Sequence, residues 1–202
     1  MITQEHFTAI ILAAGTSSRM GMPKQLLEVN GMCMLDHAIQ AALNAGMSVP
    51  IVVLGANEKK IKAQSLLLNQ CKVALNKKFD QGQSTSLIRG VLSSPSESTA
   101  YIFILADQPL VGGELVLEMI NEFRKVRADI LYPEYKGQRG NPVIITSRLR
   151  HQLLLSKGDR GAKFLFSDST LKIVSYPVHT DAVITDVDTP EDYQNICSHK
   201  LF

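Results

Sequence analysis

The sequence predicts an α/β protein with a mostly parallel sheet and helices on both of its faces, and three observations carry that reading. Short apolar runs without polar alternation recur along the chain, as strands buried on both faces require. Segments of helical period lie between them. Hydrophobic residues make up 45% and charged residues 20% of the chain, the usage of an ordinary globular protein, which argues against the disordered and collagenous classes. A length of 202 residues suits one domain over 1–202, and a domain of that size buries roughly 70% of the surface its unfolded chain exposes.

The first strand is read at Ala9-Ile10-Ile11-Leu12-Ala13. Leu35, Ala38, Ile39, Ala42 and Leu43 then recur at the helical period, and Gly46 suits the left-handed residue that ends a helix. Ile51-Val52-Val53-Leu54, Val73–Leu75 and Tyr101-Ile102-Phe103-Ile104-Leu105-Ala106 give the next strands. Ser93–Thr99 reads as an exposed loop with no chemistry beyond solvation. Further strands are expected at Ile130–Tyr132, Val143–Thr146, Ile173–Tyr176 and Val183–Val187. Thr189, with Pro190 at the first helical position and Asp192 three residues after the cap, starts a last helix. The βαβ alternation implies that a ligand lies outside the carboxyl ends of the strands, so residues just after each apolar run are the ones of interest.

Several classes are disfavoured. The formal charge is +2 with no long basic run, which points away from nucleic acid and anionic membranes. Cys33, Cys71 and Cys197 are widely spaced without a C-x-x-C, so neither a disulfide framework nor a zinc site is indicated and a reducing compartment fits. His6, His37, His151, His179 and His199 show no i, i+4 pairing and read as surface or satisfied structural residues. The apolar run from Ala9 to Ala14 is far short of the ~20 residues a membrane span needs, and no basic region precedes it, so a cytoplasmic protein is expected.

The first strand runs into Ala14-Gly15-Thr16-Ser17-Ser18-Arg19-Met20-Gly21-Met22-Pro23-Lys24. Small residues there let backbone N–H groups turn inward as an anion site, and Arg19 and Lys24 add full charges, which suits a polyphosphate. The spacing matches neither G-x-G-x-x-G nor G-x-x-x-x-G-K-[ST], and alone such a loop is as often a simple turn. Asp107 ends the most apolar strand, where an isolated carboxylate is costly unless a cation or several donors compensate it. Capping of the next segment by Asp107-Gln108-Pro109 is the alternative. Asp186 and Asp188, at i and i+2, share one face if they lie on a strand, and one of them could reach a cation held by Asp107.

Asp80-Gln81-Gly82-Gln83-Ser84-Thr85-Ser86-Leu87 places hydroxyls and amides where a helix begins, suited to a ribose or base, with N-capping by Ser84 equally open. Two further glycine loops, Gly137-Gln138-Arg139-Gly140-Asn141-Pro142-Val143 and Gly158-Asp159-Arg160-Gly161-Ala162-Lys163, could each hold a second anionic substrate. A hairpin turn and a helix cap are the default explanations for them.

Leu12-Ala13-Ala14-Gly15-x-Ser17-x-Arg19-Met20-Gly21-x-Pro23-Lys24, Gly82-Gln83-Ser84-x-Ser86-Leu87, Asp107-Gln108-Pro109, Gly140-Asn141-Pro142-Val143, Gly158-Asp159-x-Gly161-Ala162 and Asp186-x-Asp188-Thr189-Pro190-Glu191-Asp192, taken together and in order, closely resemble the molybdenum cofactor cytidylyltransferases. The resemblance spans nearly the whole chain, and its specificity lies in six motifs in the right order. It implies a single Rossmann-like nucleotidyltransferase domain that moves CMP from CTP to molybdopterin carrying its metal, releasing pyrophosphate. A recipient molybdoenzyme would be a transient partner. The resemblance also implies nucleotide contacts from Leu12, Ala13, Ala14, Gly15, Ser17, Arg19, Lys24, Gln81, Gly82, Ser84 and Asp107. Mg²⁺ would sit on Asp107 and Asp188. Acceptor contacts would come from Gln108, Arg139, Gly140, Asn141, Gly158, Asp159 and Gly161. The related guanylyl branch usually shows Ala-Gly-Gly in the first loop and Asp before the lysine, whereas Ala13-Ala14-Gly15 and Pro23-Lys24 resemble the cytidylyl branch. Accessory proteins of purine dehydrogenases resemble the pattern too. An acceptor phosphate is already an anion, so in-line attack on the α-phosphorus needs no side-chain nucleophile, and Arg19, Lys24 and Asp107 would carry catalysis through charge.

Overall fold

The computed structural model describes residues 5–198, so the expectations for His199 and for the outer limits of a 1–202 domain lie outside it. Along the chain come β1 (Phe7–Ala13), the hairpin β2 (Glu28–Val29) and β3 (Met32–Cys33), α1 (Met34–Asn44), β4 (Ile51–Leu54), α2 (Glu58–Gln64), β5 (Lys72–Leu75), α3 (Gln83–Ser93), β6 (Ala100–Leu105) and α4 (Gly113–Val126). The second half adds β7 (Ile130–Tyr135), β8 (Gln138–Arg139), β9 (Val143–Thr146), α5 (Arg150–Leu154), β10 (Ile173–Pro177) and α6 (Pro190–Ser198). The main sheet has the order β10-β7-β9-β6-β1-β4-β5, with β8 on β7.

The strands at the sheet's centre are apolar on both faces because both are covered. Ile11, Val52, Ile102 and Ile104 pack against Leu35 and Ile39 of α1 and Val116 and Met119 of α4. The alternate residues Ile10, Val53, Tyr101 and Phe103 meet Leu87 and Val91 of α3 and Leu153 of α5. Full burial of each such aliphatic side chain contributes about 1.5–3 kcal/mol. Gly46 ends α1 at φ +89°, a conformation that favours glycine.

From β1 the chain moves outward through β4 to β5 and then returns to β6 on the other side of β1, all in parallel. The order therefore reverses between β1 and β6, the place where open α/β sheets bind ligands. Leu12 pairs with Leu105, and the Ala106 N–H donates to Leu12 O at 3.2 Å, so the segments after Ala13 and Leu105 leave the sheet side by side.

Three expectations change. Val143–Thr146 is a strand, but it runs antiparallel to both β6 and β7, because the short link from β7 cannot make the crossover a parallel neighbour needs. Val183–Val187 is not a strand: a 3-10 turn covers Asp181–Val183, and the segment bonds singly to loops, Val183 O accepting from Asn141 N and Val187 N donating to Asp107 O. Ser93–Thr99 is not merely solvated. Ser94 and Ser98 are buried, the first donating to Gly90 O at 2.9 Å and the second lying 2.8 Å from the Thr8 hydroxyl. Among the described residues no helix is long and apolar enough to cross a membrane.

Candidate active site

The loop after β1 is held from within. Gln25, 2% exposed, donates from Nε2 to Ala13 O (3.0 Å) and Gly15 O (3.2 Å), while Ser17 donates to Gln25 Oε1 (3.3 Å) and accepts the Lys24 N–H (3.0 Å). Ser17 has φ +56° and spends its hydroxyl inside the loop. At Gly15 a Cβ would meet nothing within 4 Å, so open space lies beside that backbone.

Asp107 comes two residues after the end of β6. It caps no helix, since Gly112 holds the position before α4. Its Oδ2 accepts from Lys24 Nζ at 2.6 Å, and Lys24 Nζ also donates to Asp188 Oδ1 at 2.7 Å. Arg19 Nη1 reaches Asp188 Oδ2 at 3.4 Å. Burial, the largest influence on Lys24, disfavours its charge, but Asp107 and Asp188 together outweigh it and hold the ammonium above the usual lysine range. The other oxygen, Asp107 Oδ1, is buried and has no hydrogen-bond partner among the described residues. A desolvated carboxylate oxygen left alone is costly, so the site has room in its electrostatics for one more positive charge. No three His, Cys, Asp or Glu side chains converge among the described residues. A Mg²⁺ ion fits that donor set, because it is commonly held by one or two carboxylates with phosphate oxygens and water completing the octahedron. Asp107 and Asp188 are the residues that would hold it.

Asp186 and Asp188 part company. The bond from Val187 N to Asp107 O (3.0 Å) fixes the segment across the strand ends, with Val187 buried. Asp188 then falls on Lys24, whereas Asp186 Oδ1 accepts from Gln108 Nε2 at 2.6 Å. Burial of the Asp186 carboxyl, and after it the charge of Asp107, pushes it above the usual carboxylate range. The shared face expected for the pair fails because there is no strand.

Two adjoining cavities lie over the strand ends. The larger, about 940 Å³, is lined by the expected Leu12, Ala13, Ala14, Gly15, Arg19, Lys24, Gly82, Asp107 and Asp188. The smaller, about 280 Å³, is lined by the expected Arg139, Gly140, Asn141 and Gly161, and by Asp186 and Phe166. The Arg139 guanidinium stacks 3.7 Å from the Phe166 ring centre and 4.7 Å from that of Tyr132, which orients it. Asp159, expected toward the acceptor, lines the larger cavity and accepts from Gln83 N at 3.3 Å.

Five expected contact residues, Ser17, Gln81, Ser84, Gln108 and Gly158, line neither cavity. Four of them build the walls. Ser17 shapes the first loop, and Ser84, 1% exposed, donates to Gly158 O at 2.6 Å. Gln108 spends its amide on Val183 O (3.1 Å) and Asp186. Gln81 lies in the 3-10 turn before α3. Residues not anticipated include Gln25, Phe79, Gln83 and Lys163. Gln83 and Lys163 sit inside motifs already singled out, while Gln25 and Phe79 had no pattern of their own.

Comparisons with known proteins agree with this fold. The family model for the MobA-like NTP transferase domain matches residues 9–173. The nicotine blue oxidoreductase of Paenarthrobacter nicotinovorans is 26% identical over 91% of this chain and 93% of its own length. The molybdenum cofactor cytidylyltransferase of Escherichia coli K12 is 27% identical, over 91% of this chain and 92% of its own. A probable molybdenum cofactor guanylyltransferase of Natranaerobius thermophilus is 28% identical over 94% of each. Among solved structures, Rv0371c of Mycobacterium tuberculosis superposes with a TM-score of 0.87 at 25% identity, covering 98% of this chain and 100% of that one, and a complex of that protein with manganese gives 0.82 at 24%, covering 96% and 98%. Matched by that family model over most of its length, the chain belongs to the MobA-like NTP transferase domain family and is a nucleotidyltransferase.

Proposed function

We propose that this enzyme transfers CMP from CTP to molybdenum-loaded molybdopterin, giving the cytosine dinucleotide form of the cofactor and pyrophosphate, with Mg²⁺ as the cation. The observation that carries the reading is the buried, unpartnered Asp107 Oδ1 beside Lys24, at the mouth of the loop that begins with Ala13-Ala14-Gly15. The relatives named for molybdenum cofactor chemistry supply the acceptor class, and the manganese complex of the mycobacterial neighbour supports a divalent cation. Ala14 favours the smaller base. It is 4% exposed and packed beside Gly55, where a Cβ would come within 2.9 Å of the Ala14 Cβ, so its methyl group has little room to move away.

The triphosphate lies along the Gly15 loop, with Arg19 and Lys24 facing the departing pyrophosphate. The acceptor occupies the smaller cavity, its ring system near Arg139 and its phosphate directed at the α-phosphorus. Asp107 and Asp188 would hold the cation, which would supply Lewis-acid polarisation of the phosphate and neutralisation of charge in the transition state. Lys24 stays protonated and keeps Asp107 and Asp188 aligned. The acceptor's phosphate oxygen needs no general base.

The test is incubation of the enzyme with each nucleoside triphosphate, Mg²⁺ and molybdenum cofactor, with identification of the product. CTP is expected to give the cytosine dinucleotide and pyrophosphate. A preference for GTP overturns the cytidylyl assignment, and absence of any pterin dinucleotide overturns the acceptor.

A further inference from the structure

Four residues line both cavities: Leu12, Gln83, Leu105 and Lys163. Of these only Lys163 carries a charge. Among the described residues, the other cations that line the cavities lie to either side, Arg19 and Lys24 around the first loop and Arg139 in the smaller cavity. Two anions must meet at the junction, because the acceptor reacts through a phosphate and the donor through a polyphosphate. Asp159 lines the larger cavity and Asp186 the smaller, which adds negative charge to each. Without a cation there, approach of the two phosphates is opposed by Coulomb repulsion in a partly desolvated cleft.

The backbone that carries Lys163 is held firmly. Ser84 donates to Gly158 O (2.6 Å), Ser156 to Gly161 O (2.5 Å), and Gln83 N to Asp159 Oδ1 (3.3 Å). Leu165, 2% exposed, anchors the 3-10 turn Lys163–Ser167 that Lys163 begins. Among the described ion pairs and side-chain hydrogen bonds none engages Lys163, in contrast to Lys24, which is committed to two carboxylates.

We propose that Lys163 is a further catalytic residue, whose ammonium contacts the acceptor phosphate and the α-phosphate together. The proposal rests on the nucleotidyl-transfer reading. In the step it serves, an acceptor phosphate oxygen forms a bond to the α-phosphorus, the bond from that phosphorus to the bridging oxygen breaks, and pyrophosphate leaves with the electron pair. Lys163 gives up no proton; it screens the two anions and tracks the charge as it spreads over the α-phosphoryl oxygens.

The experiment compares wild type, Lys163→Ala and Lys163→Arg with CTP, Mg²⁺ and molybdenum cofactor, measuring kcat, both KM values and the dissociation constant for CTP by calorimetry. Because the side chain is exposed, all three are expected to give the same circular dichroism. Lys163→Ala is expected to lose about 100-fold or more in kcat while the CTP dissociation constant stays within about twofold, and Lys163→Arg to recover at least about tenfold of the loss. A kcat within about threefold of wild type, or a loss confined to either KM, overturns the assignment. An active wild type with an equally active Lys163→Ala sinks only Lys163. If the wild type instead uses another triphosphate or phosphate acceptor, the functional reading fails and the same variants are compared on those substrates, since the inference requires only two phosphates meeting at this junction.

Discussion

A single unpaired oxygen separates the catalytic reading of Asp107 from a structural one. A capping or turn-forming aspartate spends an oxygen on nearby backbone N–H groups, as Asp192 does with Asp188 N and Thr189 N, whereas Asp107 has Lys24 on Oδ2 and a buried Oδ1 with no partner among the described residues. Asp107→Ala is therefore expected to lower kcat by about 100-fold or more while circular dichroism and the unfolding transition remain those of a folded protein. An unfolded variant, or near-normal turnover, would contradict the metal assignment. Lys24 makes a separate prediction about stability. Its charge is favoured by folding, so its contribution is complete below the ordinary lysine value of 10.5 and is lost as pH rises through the higher folded-state value. Lys24→Met should cost roughly 1.5–3 kcal/mol at pH 8, the range for a hydrogen bond to a charged group, and the gap to wild type should close above pH 10.5. Urea unfolding of both proteins across that range checks it; a gap independent of pH would assign the loss to packing instead.

At the scale of elements, legibility tracked how local the cause was. Ala9–Ala13 and the α1 repeat ending at Gly46 were readable because period and capping act within a few residues. The helix start at Thr189 was readable for the same reason: Asp192 Oδ2 accepts from Thr189 N at 2.8 Å, and Asp192 N donates to Thr189 Oγ1 at 3.2 Å. The direction of β9 was not, since a strand's sequence carries no mark of its neighbour's polarity. Nor was the irregular path of Val183–Val187, whose apolar residues are buried by loops rather than by a ladder. The same non-locality explains Ser84, which looked like a ribose contact but is joined to a loop more than seventy positions away. That loop gives a prediction. Ser156→Ala removes the partner of Gly161 O and is expected to cost about 1–3 kcal/mol of stability. It should also raise the acceptor KM several-fold more than the CTP KM, because Gly161 and Ala162 face the smaller cavity. Steady-state kinetics with each substrate varied in turn decides it, and equal changes in both would mean the loop does not discriminate between the two sides.

For the whole molecule, the positions of the glycine loops and of Asp107 were legible because each comes at or near the end of an apolar run or between two elements, but their assembly into two joined cavities was not. That assembly depends on the return of the chain from β5 to β6 across β1, and on the segment 183–188 folding back over the strand ends. A nucleotide in the larger cavity would therefore touch the loop after β1, the start of α3, Asp107 and Asp188 at once, and bind only when all are in place. Such a ligand stabilises the native state through mass action, by about 2.7 kcal/mol at a hundred times its dissociation constant. For a protein of this size each kcal/mol moves Tm by roughly 2–4 °C, so CTP with Mg²⁺ should raise Tm by about 5–10 °C. If Asp107 Oδ1 faces the cation, most of that shift should vanish when EDTA replaces Mg²⁺, and Asp107→Ala should show the small shift whether or not Mg²⁺ is present. Thermal unfolding of both proteins with CTP, in Mg²⁺ and in EDTA, measures the coupling directly. A wild-type shift equal in the two conditions would mean that the triphosphate is held by Arg19, Lys24 and the Gly15 backbone without the help of a metal.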